Sequence, residues 1–560
     1  LQGGFQKQRG CLFTSFLLRE SIAFARENNS KLYVCFLDLF KAFDNVWHYG
    51  LFYKLYQCGI RGYVYKAIVD LYNEMKSCVK YKGCTSSWFP ILQGTRQGGV
   101  LSPFLFTIFI NELIVNVKNS EYGLHIYHMN VSCPTLADDM FLASLSKYGL
   151  SSLLDICQDY YTRWRLKCNA SKCSVIVFNE SKADYKKTLR TWKIGPDVIN
   201  EAEEYRHLGI VCNKYSMLDE NIHQSSLKLK NTLLGLINCG IYENGLHPIN
   251  SKRLYNAVVL PAALYGCELW NGLSSNQVEL LEISHRFCIK YMQSLPSRTR
   301  TDVALGLLGC YPIISEIDYK KLIFLGQLCS FSSTCITKDL FSHRLINYLG
   351  NPMQKIGFFP DILRTLDKYS LRYVIDIFIC NGTFMSKYPW KRLVKNRIDY
   401  VVREEWLNRV SKDIYLSKML FFHNLYEPCK FWKISKLNSR IAKQCQNCVK
   451  LIGLMFSNYN FLSCAACGML NNNQTEHIIL YCSATERIRK ELWQTICRTF
   501  GFDVFSRFKL LQPADQIVSL FSFLDNIAND AQHIEQFLNT LIRLLDGMAK
   551  LSTFKNTYYM

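Results

Sequence analysis

The chain has 560 residues, 49% of them hydrophobic and 20% charged, with a formal net charge of +21 from 66 Lys and Arg against 45 Asp and Glu. That composition excludes a disordered or low-complexity chain and leaves length for roughly three or four domains. A basic excess of this size points to a polyanionic partner bound through counterion release, with a membrane surface or an acidic protein as the other partners it would suit.

The residues open as if in the middle of a domain, at Leu1, so a fragment or truncated product is expected. Apolar spacing predicts a helix over 11–29, and the run Lys31-Leu-Tyr-Val-Cys-Phe-Leu37 predicts a buried strand ending at Asp38. A helical pattern over 50–76 is broken by Gly59 and Gly62, and 77–81 with 87–92 predict a hairpin around Gly83. Gly98 and Gly99 end a loop, and Ser102-Pro103 starts a helix to about 117, because proline suits a first helical turn. Stretches 124–131 and 140–144 read as strands on either side of Ala137-Asp138-Asp139, followed by a helix over 148–166 and a strand over 173–178. From about 215 the pattern is chiefly helical, with joints near 245–248, 294–301, 350–352 and Pro513. The fold class is therefore α+β, strands and helices mixed over 1–212 and mostly α beyond. The apolar stretch 100–117 is interrupted by Ser102, Pro103, Asn111 and Glu112, so no membrane span is expected. The 24 cysteines are scattered through a large chain and read as reduced thiols of an intracellular protein.

Three carboxylates stand out. Asp38 ends a buried strand, and Asp138 and Asp139 sit between two strand-like segments. Adjacent residues in extended chain point opposite ways, yet a turn lets both reach one site. Brought together, the three would form a hard-oxygen site suited to Mg²⁺, two ions of which would activate a hydroxyl nucleophile and stabilise a leaving pyrophosphate. Taken singly, an Asp-Asp pair is ordinary solvated turn chemistry, and Asp38 would equally cap a helix beginning at Lys41.

The ordered set decides between these readings. Phe36-Leu37-Asp38-Leu39-Phe40-Lys41-Ala42-Phe43-Asp44 resembles the first carboxylate motif of non-LTR (LINE-type) retrotransposon reverse transcriptases. Gln97-Gly98-Gly99-Val100-Leu101-Ser102-Pro103 resembles the family's Gln-Gly…Leu-Ser-Pro motif, and Leu136-Ala137-Asp138-Asp139 its Ala-Asp-Asp box. Asn169-Ala-Ser-Lys172-Cys173 and Tyr205-Arg-His-Leu208-Gly209 are similar to its next two segments, the second being the primer grip. A weaker likeness to the thumb runs through Lys252–Tyr255, Leu264–Trp270 and His285–Cys288. The resemblance implies a right-hand polymerase palm, a helical thumb and a mostly α C-terminal region. The expected segments are a palm with partial fingers over 1–212, the thumb over 213–345, a helical connecting region over 346–440, a zinc-knuckle region over 441–500 and a helical end over 501–560. It implies RNA-directed DNA polymerisation, with RNA template, DNA primer or target and deoxynucleoside triphosphates as partners, in cytoplasm and nucleus and without membrane attachment. Asp38, Asp138 and Asp139 would be the Mg²⁺ ligands. Phe43 would be the steric gate against a ribose 2′-OH, or simply a core ring. Gln97 and Gly98 would contact nucleotide and template, or form an ordinary loop turn. Lys172 would protonate pyrophosphate, or lie as a solvated surface lysine. Family members carry further fingers segments and often an endonuclease domain upstream, which this sequence does not include; Lys7 and Arg9 would supply part of the fingers' charge.

Cys464-x2-Cys467-x9-His477-x4-Cys482 has the residue types and spacing of a tetrahedral Zn²⁺ site and resembles the family's C-terminal knuckle. Cys445 and Cys448 read as packing. Arg487, Arg489 and Lys490 flank the knuckle. Lys387-Tyr388-Pro389-Trp390-Lys391-Arg392, with Lys395 and Arg397, alternates charge and aromatics as a phosphate-tracking, base-stacking stretch would, or as a solvated helix face does. Two rival functions remain: a catalytically inactive, co-opted copy that holds nucleic acid, and an RNA-directed RNA polymerase, against which Phe43 and the Gln97–Pro103 motif argue.

Overall fold

The computed structural model describes every residue except 1–2, 7–8, 182–189, 216, 243–244, 333–334, 352–356, 438–441, 458–461, 465, 472, 523–539 and 549–560. Lys7 thus lies outside the described residues.

Strand β1 (Leu32–Leu37) is the centre of the N-terminal region. Its side chains alternate between two faces, as period-two geometry requires. Cys35 and Leu37 enter one core with Leu142, Val175 and Val177, while Val34 and Phe36 enter the other with Phe141, Ala143 and Ile176. Burial on both faces explains why the strand reads as a continuous apolar run. Helix α1 (Cys11–Glu27) covers one face. Helices α2 (His48–Gln57), α3 (Gly62–Tyr72), α4 (Ser102–Asn119) and α5 (Lys147–Trp164) contribute to the other.

Between α3 and α4 lies an exposed arm. Its base pairs β2 (Lys76–Ser77) with β5 (Phe89–Pro90), and its tip pairs β3 (Lys80–Tyr81) with β4 (Cys84–Thr85). Lys82 and Gly83 turn the tip at φ 46° and 85°, so the hairpin expected around Gly83 is present with shorter strands. The stretch 124–131 is not one strand. It folds back as β6 (His125–Ile126) and β7 (Met129–Asn130), because Tyr127 adopts φ 55° and the Asn130 side chain donates to the Lys118 carbonyl.

Next come β8 (Thr135–Leu136), β9 (Asp139–Ser144), β10 (Ser174–Phe178), β11 (Trp192–Ile194) and β12 (Asp197–Glu201). They complete a six-stranded sheet of order β11-β12-β10-β1-β9-β8, in which β1 runs antiparallel to both neighbours. A separate hairpin, β13 (Glu204–His207) with β14 (Ile210–Asn213), leads out of this region.

The rest is chiefly helical, as expected, and shares one hydrophobic core whose members run from Ile210 to Met548, with Phe16 of α1 among them. Packing is therefore continuous across 345, 440 and 500, where segment boundaries were expected. The expected joints do mark element ends: helices begin at Pro248, Thr301 and Pro513, and one ends at Gly350. Arg344, from the helix Ile336–Gly350, ties this body to α1 through Glu20 at 2.9 Å and through Glu27.

Trp390 is not a base-stacking residue. It is 2% exposed, and its indole N–H donates to the Leu322 carbonyl at 2.9 Å, so the helix Lys387–Lys412 spends its aromatic on the core while Tyr388 remains exposed. Among the described residues no helix is long and apolar enough to cross a membrane.

Candidate active site and metal centre

The antiparallel register assembles the carboxylates. Leu37 pairs with Met140, and Leu136 pairs with Asp139, so Asp38 leaves β1 at the edge where Asp139 enters β9. Asp138 occupies the β8–β9 turn with Ala137 at φ 61°, a conformation that alanine rarely adopts. Gly3 donates to the Thr135 carbonyl at 2.7 Å and holds the N-terminal stretch against this turn.

Burial, with the charge of Asp38 adding to it, raises Asp138 above the ordinary carboxylate value. Asp139 is raised by burial and then by Asp138 and Asp38. The charge gathered at Asp138 and Asp139 is one that a divalent cation would relieve, and with Asp38 the donor set is hard oxygen, so these residues fit Mg²⁺.

The loop after Asp38 is stitched to the loop before α4. Thr95 donates to the Phe43 carbonyl at 2.8 Å, Gly94 donates to the Val46 carbonyl at 2.8 Å, and Gln97 Nε2 donates to Asp44 Oδ1 at 3.0 Å. Gly94, at φ 94°, approaches so closely that a Cβ there would meet the Asp44 carbonyl oxygen at 2.8 Å. Gln97 and Gly98 are exposed beside this junction. Phe43 is half-buried, stacked on Phe106 at 4.4 Å and edge-on to Phe5 at 6.3 Å, which fixes its ring next to the aspartate loop.

Lys172 is exposed on a tight loop whose Asn169 carbonyl accepts from the Lys172 and Cys173 amides. That loop is also bound to Asp38, whose carbonyl accepts from the Asn169 amide at 2.9 Å. Cys168 and Cys173 flank the same peptide, a contact that the sequence hinted at only by bracketing the Asn-to-Lys motif.

Tyr205 stacks on Phe36 at 4.6 Å, two residues from Asp38, and burial, then Cys173 and the aspartates, push its phenol up to about 12. Leu208 and Gly209 turn β13 into β14 at φ 49° and 80°. Tyr265 donates its hydroxyl to the Leu208 carbonyl at 3.0 Å, so the Leu264-Tyr265-Gly266 segment supports this turn. The role of Tyr265 was not legible in the sequence, since the two segments are far apart in the chain.

At the other end of the chain, Cys464, Cys467, His477 and Cys482 gather their ligand atoms within 4.8 Å of one another. Among the described residues this is the group of three or more His, Cys, Asp or Glu side chains that converges this closely. The knuckle is shaped by β15 (Leu462–Ser463) pairing with β16 (Leu470–Asn471) and by the Gly468 amide donating to Cys464. His477 and Cys482 bracket one helical turn, and Arg489 donates to the Cys482 carbonyl at 3.0 Å. Burial, then the charge of Arg489, lowers His477 below the ordinary imidazole value, the direction that favours the neutral ring a metal needs. Three thiols and one imidazole in this arrangement fit tetrahedral Zn²⁺. Cys445 and Cys448 are buried within the helix Ala442–Met455, consistent with packing.

Residues 1–212 match the family model described as reverse transcriptase (RNA-dependent DNA polymerase). The chain is 26% identical over 311 residues to the RNA-directed DNA polymerase from mobile element jockey of Drosophila funebris, a match covering 54% of this chain and 32% of that protein. It is 26% identical over 215 residues, 37% of this chain and 20% of the relative, to the Pol polyprotein from retrotransposable element R2DM of Drosophila melanogaster. A third relative, the probable RNA-directed DNA polymerase from transposon X-element of the same fly, is 22% identical over 303 residues, 52% of this chain and 30% of that protein. These matches span about a third or less of each relative's length.

Proposed function

We propose that this chain, whose residues 1–212 carry a reverse transcriptase domain related to those of non-LTR retrotransposons, is an RNA-directed DNA polymerase that copies element RNA into DNA. The observation that carries the reading is that Asp38, at the end of β1, lies beside the β8–β9 turn that carries Asp138 and Asp139, in a domain of that family. Two divalent cations bound there would supply activation of the primer hydroxyl and charge neutralisation at the leaving pyrophosphate.

The protein's own residues then have distinct tasks. Asp38, Asp138 and Asp139 hold the ions. Phe43, braced by Phe106, fills the space that a ribose 2′-OH needs and so favours deoxynucleotides. Gln97 and Gly98 line the nucleotide and template side, since a glycine lets backbone approach a ligand. Lys172 reaches from its loop to hold, or give a proton to, the pyrophosphate. The turn at Leu208 and Gly209, braced by Tyr265, grips the primer end. Zinc on Cys464, Cys467, His477 and Cys482 would order a C-terminal knuckle that holds RNA template or target DNA.

The test is primer extension on an RNA template with purified protein, Mg²⁺ and deoxynucleotides, beside Asp138→Asn. Extension that the variant loses, with RNA affinity nearly unchanged, supports the reading. Extension that survives in the variant overturns the aspartate assignment. RNA binding without extension in the parent protein identifies a copy that holds nucleic acid without chemistry.

A further inference from the structure

Beneath the aspartate edge lie two thiols that the polymerase reading does not use. The sulfurs of Cys168 and Cys173 are 3.4 Å apart, and both touch the Asp38 peptide. Cys173 Sγ accepts from the Asp38 amide at 3.3 Å and lies 3.8 Å from the Asp38 carbonyl oxygen, while the Cys168 thiol points at that same oxygen from 3.7 Å. The backbone locks the arrangement: Cys168 bridges Leu39, and the amides of Phe40 and Asn169 donate to the carbonyls of Lys167 and Asp38 at 2.9 Å each. The two cysteines also close the ends of the loop that carries Lys172. Cys464 and Cys482 come within 3.9 Å, but they belong to the knuckle, where a metal accounts for them.

We propose that Cys168 and Cys173 form an oxidisable dithiol, which a small hydroperoxide converts to an intrachain disulfide and thereby shifts Asp38. Cys168 is 9% exposed and Cys173 3%, so both are confined and an oxidant the size of hydrogen peroxide suits the space. In the first step one of the two sulfurs breaks the O–O bond, giving a sulfenic acid and water, or an alcohol from an organic hydroperoxide. In the second, the other sulfur attacks the sulfenic sulfur, an S–S bond forms and water leaves. The two thiols together give up two electrons and two protons, and the hydroperoxide accepts them.

A disulfide bond is about 2.05 Å long, so the sulfurs must close by more than an ångström from their present separation. The Cys168 thiol proton that faces the Asp38 carbonyl is lost, and the Lys172 loop becomes a covalent ring. Because the Asp38 peptide lies against both sulfurs, this contraction moves a carboxylate that is meant to hold a cation. That consequence rests on the reading of Asp38 as a metal ligand.

The experiment treats the full, zinc-loaded chain with hydrogen peroxide, blocks the remaining thiols with N-ethylmaleimide and digests with trypsin. Cleavage after Lys167 and Lys172 separates the two cysteines, so a disulfide appears as a link between the peptide 168–172 and the peptide starting at Cys173. The expected result is that link, removed by dithiothreitol, together with a weakening of Mn²⁺ binding (read by electron paramagnetic resonance) of at least about fivefold and a parallel, reversible loss of extension. Cys168→Ser and Cys173→Ser, each compared with its own untreated sample, should show neither the link nor the loss. Absence of the link while other thiols oxidise overturns the dithiol, whether or not the chain polymerises. A link that leaves Mn²⁺ affinity unchanged overturns its coupling to Asp38. A loss that persists in Cys168→Ser and follows zinc release assigns the sensitivity to the knuckle and overturns the proposal. Failure of the untreated chain to extend primers, with the link and the Mn²⁺ shift intact, counts against the polymerase reading alone.

Discussion

Glu180, just past the end of β10, is the ion-pair centre whose removal should be felt most. Its carboxylate is fully buried between the fork of Arg190, at 2.7 Å to each oxygen, and Lys214, at 3.0 Å. Lys31 adds a third cation at 3.3 Å. Burial alone would raise Glu180, but Arg190 and Lys214 outweigh it and bring the group down from 4.5 to about 2. A shift of that size corresponds to roughly 3 kcal/mol. The sign follows from the depression: the stabilisation is full above the ordinary value of 4.5 and is lost as pH falls through about 2. Glu180→Gln keeps the volume and removes the charge that faces Arg190 and Lys214, only 4% and 2% exposed, while Arg190 retains Glu201 at 3.0 Å. Breaking one partner out of a buried pair costs about 3–5 kcal/mol. Because Lys214 follows β14 and Arg190 precedes β11, the loss should loosen the sheet edge and the hairpin that carries the Leu208–Gly209 turn. Hydrogen exchange of peptides covering 174–180 and 190–214 should speed up on the order of a hundredfold at neutral pH in the variant. The difference between parent and variant should shrink below pH 4.5. A change under threefold at neutral pH would mean that the pairs merely offset their desolvation, and the reasoning fails.

Gly209→Ala places a Cβ 3.1 Å from the Tyr265 ring at φ 80°, so it should destabilise the turn by about 1–3 kcal/mol and slow primer extension more than it weakens RNA binding, read by extension rates and filter binding. Phe43→Ala should raise ribonucleotide incorporation relative to deoxynucleotide incorporation, measured as the ratio of kcat/KM values; an unchanged ratio makes Phe43 a core ring held by Phe106. Cys467→Ser should cost the chain its zinc, measured by atomic absorption, and expose 462–482 to protease while the sheet stays folded. Arg344→Met should leave Glu20, 2% exposed, without its cation and lower stability by about 3–5 kcal/mol in chemical denaturation.

Much of the fold was legible because its signals are local. The apolar run Leu32–Leu37, the glycine breaks at Gly59 and Gly62 and the proline at the start of α4 each describe a few neighbouring residues, and the elements follow them. The knuckle was legible for the same reason, since its ligands lie close together and their chemistry is narrow. The stretch 124–131 misled because its apolar pattern gives no sign that Tyr127 would adopt a positive φ. Trp390 misled because a tryptophan among basic residues reads alike whether its ring faces a base or the Leu322 carbonyl.

The sequence by itself determined the element types, the identity of the acidic, glycine-rich and thiol motifs, and their order along the chain. The tertiary structure alone decided that Asp38 meets Asp138 and Asp139 across an antiparallel register, that Tyr265 braces the Leu208–Gly209 turn, and that two cysteines enclose the Asp38 peptide. The division has a physical cause: propensity, periodicity and turn chemistry act over a few residues, whereas these contacts join segments brought together only when both faces of the sheet are buried.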